Sequence, residues 1–149
     1  MAKSFNPYDH FGFLTGRVSR LIRNRIEVET ARRGYHFPIS CLSILAELWK
    51  EDGIKQQDLA TTLVRNKSSI TKMIAALEKD GLIIRKSVNS DKREKRIFLT
   101  SEGHRFKQDV VEKSCKGEKL ATVGLSKQEI KTAKKVLKTI YEQLLIHNN

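Results

Sequence analysis

Apolar residues recur at helical spacing along most of this chain, and the breaks in that spacing divide it into elements. Residues 1–10 read as an irregular lead-in containing Pro7. From about Phe11 to Arg33, Leu14, Val18, Leu21, Ile22 and Ile26 keep the three-and-four step that gives a helix one apolar stripe. Gly34 is its natural stop. Pro38 and Ser40 open a second helix, whose apolar face is Leu42, Leu45, Leu48 and Trp49 and which Asp52-Gly53 ends. A short helix, about Gln56 to Leu63, buries Leu59, Ala60 and Leu63. The next begins at Asn66, a good N-cap, and runs to Asp80 with Ile70, Met73, Ile74 and Leu77 inward. Gly81 stands where a helix-ending glycine belongs. So few residues separate these last two helices that a compact helix-turn-helix pairing is expected.

The pattern then changes. Leu82–Val88 and Lys95–Leu99 are rich in Ile, Val, Leu and Phe, and the link Asn89 to Glu94 is polar and turn-prone, which predicts a β-hairpin. Thr100 can cap a further helix, about Ser101 to Ala121, and Ser126 with Glu129 forms a capping box for a last helix to about Ile146. In that last helix Ile130, Ala133, Leu137, Ile140 and Leu144 make a heptad-like seam, which suits either a partner helix or packing onto the chain's own domain. A long helix at each chain end, flanking a compact unit, looks like a dimerisation module built from both termini.

Charge sharpens this picture. The 149 residues suit one domain, and 29 Lys and Arg against 17 Asp and Glu give a net charge of +12. That balance favours an anionic partner, nucleic acid or an acidic membrane, over a neutral one. The excess is local. Arg85, Lys86, Lys92, Arg93, Lys95 and Arg96 face only Asp91 and Glu94, and the first helix carries Arg17, Arg20, Arg23, Arg25, Arg32 and Arg33. No apolar run approaches the ~20 residues that span a bilayer, and the first residues lack the apolar stretch of a secretory signal. A cytoplasmic protein without a membrane partner is expected. Cys41 and Cys115 are too few for a disulfide framework, and neither they nor His10, His36, His104 and His147 have metal-ligand spacing, so no metal or cofactor is expected. Cys41, on an apolar stretch, reads as a buried thiol; Cys115 lies beside Lys113 and Lys116, which could lower its pKa.

The order of elements resembles the MarR family of winged helix-turn-helix regulators over roughly residues 10–146. Asp91-Lys92-Arg93, followed by Leu99-Thr100 and Gly103, matches that family's wing signature, D-x-R…L-T-x-x-G. Asp58-Leu59-Ala60, Lys67 to Lys72 and Leu77 to Ile83 match its helix-turn-helix pattern. Family members often cap the short helix with Ser or Thr, where this chain has Lys55. The resemblance implies a mainly α (α+β) fold: one chain with a winged helix-turn-helix lobe at 35–103 and a helical dimerisation region at 10–33 plus 104–147. It also implies transcriptional regulation, most often repression, relieved by a small aromatic or phenolic ligand in a crevice between the dimer helices and the DNA-binding lobe. Some members sense oxidants through a cysteine near the start of the first helix, and this chain has none there.

Within that frame the residues take roles. The inward positions leave Lys67, Ser68, Ser69, Thr71, Lys72 and Ala75 facing away from the core. Small hydroxyls let a helix approach base edges, and a thymine methyl can lie against Thr71 or Ala75. Lys67 and Lys72 can reach phosphate or guanine, and Asn66 adds a phosphate site at the helix N-terminus. The alternative is an ordinary solvated helix face. In the wing, the resemblance implies that Arg93 enters a minor groove, where narrow A·T-rich segments concentrate negative potential. Asp91 would orient Arg93 or shape the turn, while Lys92, Lys95, Arg85 and Lys86 are phosphate candidates. The expected protein is a homodimer on double-stranded DNA. Its rivals are a non-specific architectural DNA binder and an enzyme using Cys41 and His36.

Overall fold

The computed structural model describes residues 6–87 and 95–147, without the side chains of 111–115. Among these are six α-helices: α1 (Phe11–Arg32), α2 (Leu42–Lys50), α3 (Gln56–Thr62), α4 (Lys67–Lys79), α5 (Ser101–Ala121) and α6 (Lys127–His147). Three short strands join them, β1 (Ile54–Lys55), β2 (Ile83–Ser87) and β3 (Lys95–Leu99). The mainly helical class and the winged-helix order expected from the sequence are both present.

The expected two-stranded hairpin is the inner part of a three-stranded antiparallel sheet of order β1-β3-β2. Ile83 pairs with Leu99 and Ser87 with Lys95, while Ile54 pairs with Ile97. β1 was not foreseen, because two residues are too short to show alternation. It is held from its turn: Asp52 Oδ1 accepts N–H bonds from Gly53 at 3.0 Å and from Leu99 at 2.9 Å. The link from 88 to 94, including the expected turn Asn89 to Glu94 and the end of the expected strand at Val88, lies outside the described residues.

The chain divides into two compact units, residues 1–114 and 115–149. The core of the first is one apolar cluster in which Ile44, Leu45, Leu48, Leu59, Ile70, Ile74, Leu77, Leu82, Ile97 and Phe106 are fully enclosed. All four inward residues expected of α4 are buried. α2 differs slightly. A 3-10 turn, Ile39–Cys41, precedes it, and Ile44 joins Leu45 and Leu48 inside, whereas Leu42 and Trp49 are half-buried. In the second unit the capping box forms as expected. Ser126 Oγ accepts from the Glu129 N–H at 3.2 Å, and the Glu129 carboxylate accepts from the Ser126 N–H at 2.8 Å. Hydrogen bonding from the Ser126 side chain, then from its backbone N–H, holds the Glu129 carboxyl below its ordinary pKa.

α3 and α4 end in the same backbone motif but with different residues. The N–H groups of Gly81 and Leu82 bond the carbonyls of Glu78 and Leu77; those of Val64 and Arg65 bond Thr61 and Ala60. This motif places its penultimate residue in the left-handed region. Gly81 takes φ +72° without strain, but Val64 takes φ +50° with a β-branched side chain that is 55% exposed. A left-handed non-glycine residue costs roughly 1–2 kcal/mol, offset for glycine by about 0.5–1 kcal/mol of backbone freedom. Val64→Gly is therefore expected to stabilise the protein by roughly 0.5–1 kcal/mol, read as a higher melting temperature. A lower one would show that Val64 contributes more packing than its exposure indicates.

Candidate nucleic-acid interface

α4 presents its site because its other face is anchored. Ile70, Ile74 and Leu77 are fully enclosed and Met73 is buried, which fixes the rotation of the helix. Lys67, Ser68, Thr71, Lys72 and Ala75 are exposed, whereas Ser69 is half-buried and contributes mainly its backbone. Asn66 caps the helix as expected. Its Oδ1 accepts from the Ser69 N–H at 2.8 Å and from the Ser68 hydroxyl at 2.9 Å. The oxygen is thus engaged within the cap.

Thr71 is less free than the sequence suggests. Its hydroxyl donates to the Lys67 carbonyl at 2.9 Å and accepts from the Gln56 amide at 2.7 Å. Gln56, the first residue of α3, is therefore part of this surface. Sequence reasoning missed it, naming Gln56 only as the start of the short helix.

The strands supply the second half of the surface. Lys86 and Lys95 are exposed, and the Lys86 amine lies 5.6 Å from the centre of the Phe98 ring, a cation–π contact that holds its stem on the sheet. Arg85, named with them as a phosphate candidate, is engaged elsewhere. Its Nε and Nη2 reach Glu78 Oε2 at 3.0 and 2.9 Å, and its N–H reaches Glu78 Oε1 at 3.2 Å. Two guanidinium nitrogens share one carboxylate oxygen while the other takes the β2 N–H, a charge-assisted set that ties β2 to α4 and leaves Arg85 a structural role first. Arg96 likewise reaches inward, to the Gly53 carbonyl at 3.3 Å. Asp91, Lys92 and Arg93 lie outside the described residues.

The cysteine reading is settled at Cys41. The side chain is fully enclosed, and burial pushes its thiol up to about 11, so almost no thiolate exists at neutral pH. His36 is exposed, and its backbone N–H is held by Asp80 at 2.7 Å. The rival enzyme pair thus lacks its nucleophile. The side chain of Cys115 lies outside the described residues.

A family model described as the MarR family matches residues 38–95, from the 3-10 turn before α2 to the first residue of β3. The match to the MarR family is carried by these residues. It is 31% identical over 100 residues to the organic hydroperoxide resistance transcriptional regulator of Bacillus subtilis (strain 168), an alignment spanning 65% of this chain and 65% of that protein. Among solved structures it is similar to a MarR-family regulator from Listeria monocytogenes complexed with 26mer DNA: TM-score 0.77, 22% identity, covering 90% of this chain and 88% of that one. It is also similar to CouR from Rhodococcus jostii RHA1 bound to p-coumaroyl-CoA, with TM-score 0.74 and 23% identity over 92% of this chain and 95% of that one. At these identities the two structures carry the fold. In this winged-helix fold α4 is the second helix of the helix-turn-helix, and β2 and β3 are the strands of the wing.

Proposed function

We propose that the protein is a sequence-specific transcriptional regulator, a repressor that binds a pseudo-palindromic operator as a homodimer and releases it on binding a small aromatic or phenolic ligand. The observation that carries this reading is the outer face of α4: exposed Lys67, Ser68, Thr71 and Lys72 on a helix whose rotation is fixed by an apolar face. Small side chains let the backbone approach base edges, and the lysines neutralise phosphates. Each subunit would set α4 in a major groove and the wing against the neighbouring minor groove. Half-sites about 10 bp apart follow from the two-fold symmetry. The DNA in the Listeria complex supports the same use of the fold.

Open apolar surface supports the dimer. On α6, Leu137 and Leu144 of the heptad-like seam are exposed, as are Leu14, Val18, Leu21 and Ile22 on α1. Apolar residues repeating on long helices are the surfaces that association buries. The candidate ligand site is a narrow cleft of about 10 Å³ between α1 and α5, lined by Ile26, Thr30, Phe106 and Val110. The Arg33–Asp109 ion pair closes its rim, and its hydrogen bond holds the Arg33 guanidinium above its ordinary pKa. Beside it Tyr35, pushed up to about 12 by burial and by its hydrogen bond to Glu102, stacks edge-on to Phe106. That volume is far below the ~300 Å³ of small-molecule pockets, so the cleft must open substantially to accept an aromatic ligand. Such widening shifts the equilibrium only if the ligand binds the widened form better than the DNA-competent one. The ligand carried by CouR, p-coumaroyl-CoA, contains such a ring. The organic hydroperoxide resistance in the name of the Bacillus relative is not carried over, since no cysteine lies near the start of α1. No described helix is long and apolar enough to cross a membrane, which fits a regulator working on DNA in the cytoplasm.

Selection of bound duplexes from random DNA tests the reading. A regulator prefers its own site over random sequence by roughly 10³-fold or more. An architectural binder shows no such preference, and that result would remove the regulator. On the selected site, Arg93→Ala is expected to weaken binding several-fold or more, while Lys92→Ala lowers the slope of affinity against salt by about one phosphate contact. Unchanged affinity in Arg93→Ala at moderate salt would reject the wing assignment.

A further inference from the structure

We propose that Gln56 is a positioning residue for base readout: from the first turn of α3 it fixes Thr71 so that α4 presents a methyl group, not a hydroxyl, to the groove. The inference rests on the DNA-reading role proposed above and names one contact within it. Thr71 is exposed on the outer face of α4, where a threonine hydroxyl would ordinarily be the polar reader. Here the hydroxyl hydrogen goes to the Lys67 carbonyl at 2.9 Å, and the oxygen receives the Gln56 amide at 2.7 Å. A hydroxyl has one hydrogen to donate. With that hydrogen on Lys67 it cannot donate to a base, and the Gln56 amide stops the rotation that would free it. The γ-methyl is the part of the side chain without a partner. In the major groove the apolar partner for a methyl is the thymine 5-methyl, the one base-edge group that carries no hydrogen bond. Each half-site should therefore contain a thymine selected through its methyl, and Gln56 should control that selection without touching the base.

The test uses the full chain and the site selected from random duplexes. Thymines in one half-site are replaced singly by deoxyuridine, which removes only the 5-methyl, and affinities are compared at fixed salt. For the unaltered protein one position is expected to lose roughly fourfold, the worth of one buried methyl-sized group. Thr71→Ser, which keeps the hydroxyl and loses the methyl, should abolish that discrimination. Thr71→Val, which keeps the methyl and needs no fixing, should retain it. Gln56→Ala should lower it, whereas Gln56→Ala combined with Thr71→Val should restore it, a rescue that loss of fold would not give. If no position discriminates thymine from deoxyuridine, or if Gln56→Ala discriminates like the unaltered protein, the proposal is overturned. Specific operator binding in that same experiment would leave the regulatory reading standing. Absence of any preferred sequence would overturn that reading, and this proposal with it.

Discussion

Gly103→Ala is expected to destabilise the protein by about 3 kcal/mol, whereas Gly117→Ala in the same helix should stabilise it by about 0.5–1 kcal/mol. Both glycines lie in α5, so helix propensity favours alanine at each. Their surroundings differ. A Cβ on Gly103 would lie 2.2 Å from the Leu82 carbonyl oxygen and 3.0 Å from Leu99 Cδ2, while one on Gly117 meets nothing within 4 Å. The carbonyl cannot step aside freely. It accepts the Thr100 N–H at 3.0 Å, while the Thr100 hydroxyl donates to the Gly81 carbonyl at 2.6 Å and accepts from the Gly103 N–H at 3.1 Å. Trp49 adds its indole N–H to the Gly103 carbonyl at 3.3 Å. Alanine must push α5 away from the end of α4 and the start of β2, breaking several of these bonds together. For a chain of this size the loss should appear as a fall of roughly 6–12 °C in melting temperature. Equal melting temperatures for the two variants would show that the Leu82 contact is soft. The glycine of the L-T-x-x-G signature thus has a packing reason: it is where the helix after the wing meets the end of the α4 turn.

Much of this was legible in the sequence, and the reasons separate local from long-range information. α4 was read in full, from the Asn66 cap to the four inward residues and Gly81, because capping and helical periodicity are written within a few residues of each other. β1 was missed because Ile54 and Lys55 become a strand only by pairing with Ile97 and Arg96. Arg85 was grouped with the phosphate candidates because a basic run in sequence looks uniform. Its ion-pair partner, Glu78, lies across a helix-to-strand turn that periodicity does not describe. Gln56 escaped for the same reason, since its contact, Thr71, belongs to the next helix. Charge counts and faces are local quantities, whereas which charge is already paired is a property of the fold.

Asp80→Ala is the complementary experiment, expected to cost about 2–3 kcal/mol of stability while leaving operator recognition intact. An acid at the C-terminal end of a helix sits at the negative end of its dipole, so Asp80 needs some other partner to be stabilising there. The structure supplies two. Asp80 Oδ2 accepts the His36 N–H at 2.7 Å and the Phe37 N–H at 2.8 Å, fastening the segment after α1 to the end of α4. Hydrogen bonds to a charged group contribute roughly 1.5–3 kcal/mol each. Phe37 is buried, so its N–H has little water to replace the lost oxygen, whereas exposed His36 can be rehydrated. One full bond and part of another give the expected loss, measured by chemical denaturation. Asp80→Asn keeps an acceptor in place and should lose about half as much. Neither change alters the buried face of α4 or its outer residues, so below the unfolding transition both variants should bind the selected operator with unchanged affinity and salt slope. Arg93→Ala should behave in the opposite way, with weaker binding at unchanged stability. A binding defect in Asp80→Ala at full folding would mean that the segment from Tyr35 to Phe37 helps to set the orientation of α4. That would join the end of α1, which lines the cleft against α5, to α4 through a single carboxylate.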